Sequence, residues 1–212
     1  EFVAVRTPQG TLEFVGQPEL SAWGTDAATV IEAARKNLAA VQPVPRRLHM
    51  GRTGLTALFA TQPEGFESSW IVAPDEMRRA AAQEVYGATN VVPILLFVPT
   101  RTTAFVVPRD DDRMVGAALD TALELYMEDS GALSPVPYEL AGTQVRGWKP
   151  PAGSALEAKV RRARGRIAAD EYGMQQGFFD STDVGHRWCE REKLNPLRPR
   201  QSAGGTMSVR VT

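Results

Sequence analysis

An α+β fold is expected from this sequence on three observations. Asn90 to Val107 reads NVVPILLFVPTRTTAFVV, two apolar β-rich runs around a short polar turn. Three segments elsewhere space their apolar residues at three- and four-residue steps, the period of a helix with one face buried. Two further pairs of strand-like runs are joined by turn residues, which favours antiparallel pairing. In the central run Ile94, Leu96 and Val98 point one way and Leu95 and Phe97 the other, so both faces are apolar and both need covering.

In chain order, Phe2 to Val5 and Leu12 to Val15 flank Thr-Pro-Gln-Gly and predict an N-terminal hairpin. A helix follows, capped by Thr25 or Asp26, with Val30, Ile31, Ala34, Leu38 and Val41 on one face and Pro43 and Pro45 ending it. Leu55 to Ala60 predicts a strand and Ser69 to Val72 a shorter one, with Gln62-Pro63-Glu64-Gly65 turning the chain between them. Pro74 suits the first turn of a helix running to about Tyr86, with Asp75 and Glu76 at its positive end. The turn of the central hairpin is expected at Pro99-Thr100-Arg101-Thr102.

Asp110 to Asp112 precede the most strongly patterned helix, with Met114, Val115, Ala118, Leu119, Ala122, Leu123, Tyr126 and Met127 on its apolar face. That face is the natural lid for one side of the hairpin. Gly131 is expected to end the helix, and Val136 to Leu140 with Gln144 to Trp148 predicts a last hairpin. Beyond Trp148 the character changes. Lys149-Pro150-Pro151-Ala152-Gly153 reads as a linker, and Ser154 can cap a helix to about Gln176. Leu156, Val160, Ala163 and Ile167 give that helix a thin apolar stripe that wants a partner surface. The expected organisation is a body over 1–148 and a basic helical or irregular extension over 149–212.

The composition, 43 % hydrophobic over 212 residues, is that of a globular chain able to bury a core. No apolar run reaches the roughly 20 residues of a membrane-spanning helix, so no membrane association is expected. The opening residues lack a secretory pattern and the single cysteine, Cys189, cannot form an internal disulfide, which makes a cytoplasmic setting the expectation. Charge is uneven. Lys149 to Thr212 holds 12 of the 24 Lys and Arg but only 7 of the 25 Asp and Glu. Such an arm suits nucleic acid, acidic lipid, or docking on the chain's own acidic body.

Chemistry is harder to find. With only His49 and His186, a Ser-His-Asp or Cys-His site would have to use one of them. His186 three residues before Cys189 is more simply structural than nucleophilic, and one thiol makes no zinc set. Asp110-Asp111-Asp112 fits helix capping better than magnesium or calcium. Gly51-Arg52-Thr53-Gly54 reads as a turn before a phosphate cradle, Ser68 and Ser69 have no nucleophile elbow around them, and the common nucleotide and hydrolase motifs are missing. No catalytic residue, metal ligand or cofactor is therefore assigned.

The body resembles the YtpQ-like family of bacterial proteins. The likeness runs through AARKNLAA (Ala33 to Ala40), GLTALFATQPEGFESSWIVAP (Gly54 to Pro74), the VVPILLFVPTRTTAFVV hairpin and the long helix after it, about Gly10 to Trp148. Gly65-Phe66-Glu67-Ser68-Ser69 is similar to the family's D-G-Y-D-A-S segment, although Glu67 stands where the family tends to have Asp and Trp70 where it often has Arg. The resemblance implies a mixed α/β fold and an intracellular setting, and it lends no reaction.

Three functions are expected in order. The first is a non-catalytic accessory or adaptor protein that binds a protein partner, or self-associates, through its extension, with Arg161, Arg162, Arg164, Arg166, Phe178, Phe179 and Trp188 as the contact residues. The second is a small hydrolase or ligand-binding enzyme gathering Glu64, Glu67, Arg101 and Asp110 at the ends of neighbouring strands. The third is nucleic-acid binding through the basic helix over 154–176.

Overall fold

A computed structural model describes residues 4–6, 12–41, 45–50, 56–86, 93–129, 131–141, 144–181, 198–201 and 207–210. In chain order the elements are β1 (Ala4–Arg6), β2 (Leu12–Phe14), α1 (Gln17–Trp23), α2 (Ala27–Val41), β3 (Pro45–His49), β4 (Thr56–Ala60), a 3-10 helix (Glu67–Val72), α3 (Pro74–Tyr86), β5 (Ile94–Thr100), β6 (Thr103–Pro108), α4 (Asp112–Glu128), β7 (Ala132–Ala141), β8 (Gln144–Gly147), α5 (Ala155–Ser181), β9 (Arg198–Gln201) and β10 (Met207–Arg210). Six strands form one sheet in the order β3-β4-β6-β5-β7-β8, and every pairing in it is antiparallel. The fold is α+β, as the sequence predicts.

The hairpin β5–β6 occupies the middle of the sheet, and its alternation sorts two cores. Leu95, Phe97, Phe105 and Val107 face α4, where Val115, Ala118, Leu119 and Ala122 meet them. Ile94, Leu96, Val98, Ala104 and Val106 face the other way, onto Trp70 of the 3-10 helix, Met77 and Ala81 of α3, and Leu38 of α2. A strand with both faces covered can be apolar at every position, which is why all seven residues of β5 are buried. Across β4, β6 and β5 the rings of Phe59, Phe105 and Phe97 stack, with centroids 4.8 and 5.0 Å apart.

Helix ends follow local chemistry. Asp26 Oδ1 accepts from the Thr29 amide (2.8 Å) and Asp111 Oδ1 from the Met114 amide (2.9 Å), so both aspartates act as N-caps. Ser154 Oγ accepts from the Glu157 amide (3.2 Å) while Glu157 reaches back to the Gly153 amide (2.6 Å), closing a reciprocal cap on α5.

Two local expectations are corrected. Ser69 to Val72 is not a strand: the Ser69 amide donates to the Phe66 carbonyl and Ala73 to Trp70, the three-residue reach of a 3-10 turn, with the Trp70 ring sunk into the core. The central turn is Arg101-Thr102 alone. Pro99 and Thr100 belong to β5, where the register slips between Phe97 and Thr100 and a bulge accommodates a residue that cannot donate. Two elements the periodicity did not reveal are α1, too short at seven residues to show a period, and β3, an edge strand that starts on Pro45.

Packing also crosses the boundary expected at Trp148. Leu156, Val160 and Ala163 of α5 are buried in the same cluster as Val115, Ala118 and Trp148, so the core of the body continues across the supposed linker. The partner surface for the thin stripe is α4 of the same chain. The two helices meet at Gly116: a Cβ there would meet Leu156 Cδ2 at 3.5 Å, and Lys159 Nζ donates to the Gly116 carbonyl (3.0 Å) and to Asp120. Further along, Tyr126 of α4 neighbours Asp170 of α5. Contacts therefore advance together on both helices, which run side by side in the same direction.

Candidate functional site

Polar side chains collect at the end of the sheet that carries the Arg101-Thr102 turn. The antiparallel order puts the end of β4, the β5–β6 turn and the start of β7 there, and α4 delivers its C-terminus to the same end. Backbone bonds tie the loops together: the Ser68 amide donates to the Arg101 carbonyl and the Arg101 amide to the Gly131 carbonyl (both 3.2 Å). The Trp70 indole donates to the Gln62 carbonyl, anchoring the loop that carries Glu64.

Glu67 is only 9 % exposed. Its Oε1 accepts from the Gly65 amide (3.2 Å), and its Oε2 has neither solvent contact nor a hydrogen-bond partner among the described residues. Leaving such an acceptor unsatisfied costs about 1–3 kcal/mol, a burden that cores rarely carry. Glu64 is exposed in the preceding turn, and Arg101 lies exposed with its guanidinium beside Gly131.

Asp110 does not join this group. It follows β6, and Pro108 pairs with Ile94 at the far end of β5, so a strand length of roughly 20 Å separates Asp110 from the Arg101 turn. There it pairs with Arg109 (3.1 Å), which also binds Glu139 on β7. Those two carboxylates, Asp110 foremost, hold the Arg109 guanidinium above its ordinary pKa. The expected convergence of Glu64, Glu67, Arg101 and Asp110 is thus reduced to the first three.

The residues assigned to docking lie on α5, and packing sorts them. With about 3.6 residues per turn, Leu156, Val160, Ala163 and Ile167 define the inner face. Lys159 and Arg166 flank it, occupied by Asp120 and Asp170. Arg164 is on the other flank, with Nη2 3.5 Å from the Trp148 carbonyl. Arg161 and Arg162 point away from the body and are exposed. Phe178 is 49 % exposed. Phe179 belongs to α5, and Trp188, like His186 and Cys189, lies outside the described residues.

Compared with protein-family models, curated proteins and solved structures, the chain finds no match.

Two further features bound the chemistry. Among the described residues no three His, Cys, Asp or Glu side chains gather as a metal site, and no helix is long and apolar enough to cross a membrane. His49 sits on edge strand β3 with Nδ1 3.2 Å from Thr56 Oγ1, its cross-strand neighbour. What sequence reasoning missed is that the helix runs on to Ser181 and that Tyr172 and Met174, 45 and 69 % exposed, share its distal turns with the assigned Phe178, 49 % exposed. The signal was present, because Met174 and Phe178 continue the Leu156 stripe two and three turns beyond Ile167.

Proposed function

We propose that this chain is a non-catalytic, cytoplasmic accessory protein that binds another protein through α5 and the segment that follows it. One observation carries the reading: α5 continues past the end of α4, and Tyr172, Met174 and Phe178 on that stretch are 45, 69 and 49 % exposed. A 27-residue helix spans roughly 40 Å and the 17-residue α4 about 25 Å. Alignment of Gly116 with Leu156 and of Tyr126 with Asp170 leaves an overhang of roughly 15 Å. Large apolar side chains held on such a projecting helix are the composition of an interface anchor. The resemblance to YtpQ-like proteins accords with an intracellular setting.

The test is affinity capture from native cells with the full chain and with a chain ending at Glu171, which spares the buried stripe. Loss of a stoichiometric captured protein on truncation supports the reading, and unchanged capture overturns it.

A ligand-binding function at the Arg101 end is a second reading, favoured by the buried, unsatisfied Glu67 carboxylate. Nucleic-acid binding draws less support, since Lys159 and Arg166 are held in ion pairs and Arg164 lies against the Trp148 carbonyl.

A further inference from the structure

The sheet ends on β3, and this edge is open. All five of its residues pair with β4 in one continuous register, and no strand lies on its other side among the described residues. An edge strand turns a row of amides and carbonyls away from its neighbour. Arg46, Arg47, Leu48 and His49 are all exposed, Leu48 at 46 %. The opposite edge differs: β8 is four residues long and runs on into Pro150 and Pro151, which carry no amide proton.

Register sorts the side chains of β3. Arg46 and Leu48 stand opposite Phe59 and Ala57, on the face of the sheet that packs on α4, and Arg47 stands opposite Leu58 on the other face. The edge is also basic. Residues 33–63 include Arg35, Lys36, Arg46, Arg47 and Arg52 and not one Asp or Glu, in a chain whose net charge is −1. Among the described residues, the carboxylate ion-paired to β3 is Glu84 of α3, which engages Arg47: the guanidinium donates to the Glu84 carbonyl (2.8 Å) and lies 3.7 Å from its side chain. Lys36 of α2 pairs with Glu32. Arg46 has neither a hydrogen bond nor an ion pair among the described residues.

We propose that β3 is an acceptor edge for strand addition, taking an acidic extended segment of a partner protein. This goes beyond the α5 reading, since β3 and β8, the strand that leads to α5, stand at opposite edges of the sheet. In strand addition the main chain supplies affinity and alternate side chains supply selectivity. The incoming strand lays an acidic residue beside Arg46 and, two positions along on the same face, an apolar residue beside Leu48. A second copy of β3 is the wrong occupant, because the antiparallel pairing that uses all five residues sets Arg47 against Arg47. Nucleic acid fits less well: phosphates would find one unpaired guanidinium on the strand and leave its main-chain groups unused.

Fluorescence anisotropy with the purified full chain tests this. The labelled probes are an acidic Glu/Val/Thr peptide with Glu and Val two positions apart, the same peptide N-methylated throughout, its Lys-for-Glu counterpart, and a single-stranded oligonucleotide. The acidic peptide is expected to bind at least about tenfold more tightly than the other three. Arg46→Glu is expected to weaken it by a similar factor and Arg46→Gln by less, both with an unchanged urea midpoint, since Arg46 is exposed and unpaired. Arg146→Glu, the same charge change on β8, is expected to leave the affinity unchanged. Equal binding of the N-methylated peptide would show attraction by charge alone and overturn the proposal. So would absence of peptide binding, equal weakening by Arg146→Glu, or tighter binding of the oligonucleotide. None of these outcomes bears on capture through α5.

Discussion

Trp70, Glu67 and Tyr126 show how far single residues are governed by what surrounds them. Trp70 is fully buried between the sheet and α3, and its indole proton is accepted by the Gln62 carbonyl, so the ring fixes both the 3-10 helix and the loop before it. Glu67, three residues earlier, is drawn inward by the same turn and reaches a single donor, the Gly65 amide. Tyr126 has a measurable consequence. Burial first, and the Asp170 carboxylate second, hold its phenol above the ordinary 10.0. The unfolded chain therefore releases this proton at lower pH than the folded one. Stability from this group is fully present below pH 10.0 and is lost as pH rises from there through the folded pKa. Urea midpoints measured from neutral to strongly alkaline pH should fall less steeply above pH 10 in Tyr126→Phe than in the parent chain; equal slopes would show that Tyr126 does not couple to folding.

At the scale of elements, the pairing of α4 with α5 is the contact the sequence least advertised. Each helix shows its own stripe, but a stripe does not name the surface that covers it. Gly116 faces Leu156 across that seam, and it sits inside a helix, where glycine costs up to about 1 kcal/mol relative to alanine. An added Cβ would meet Leu156 at 3.5 Å, an ordinary contact, so the glycine is not sterically required. Gly116→Ala is expected to keep or raise thermal stability. Gly116→Leu should overpack the seam and lower it by about 1–3 kcal/mol, read from thermal or urea unfolding. Comparable loss in both would mean that the helices cannot yield even a methyl group. By contrast α2 is held lightly: Leu38 is buried, Val30, Ile31 and Ala34 are half-buried and Val41 is 45 % exposed.

For the whole molecule, the position of α5 changes what the extension is. Cutting the chain after Trp148 removes Leu156, Val160 and Ala163 from the cluster that holds Val115 and Leu119. Burial of each large aliphatic side chain contributes about 1.5–3 kcal/mol, and whole domains have only about 5–15 kcal/mol to lose. The chain ending at Trp148 is therefore expected to bind a hydrophobic dye and lose cooperative unfolding, while the chain ending at Glu171 keeps a sharp urea transition. Cooperative unfolding of the shorter chain would restore a separable body and extension. The docking reading itself does not depend on that outcome, because it concerns the distal turns of α5, beyond the packed stripe.

The sequence by itself determined what depends on neighbours along the chain: the central hairpin and the faces of its residues, the spans of α2, α3 and α4, a cap within Thr25–Asp26, another within Asp110–Asp112 and one at Ser154, and the stripe of α5. Those features come from side-chain alternation, helical period and short-range hydrogen bonds, all legible within a few residues. Only the tertiary structure decided that Asp110 stands a strand length from Arg101, that Lys159 and Arg166 are taken by Asp120 and Asp170, and that α5 completes the body's core before overhanging it. Each of these brings together residues far apart in the chain. Sheet order and helix packing place them, and no local pattern encodes either.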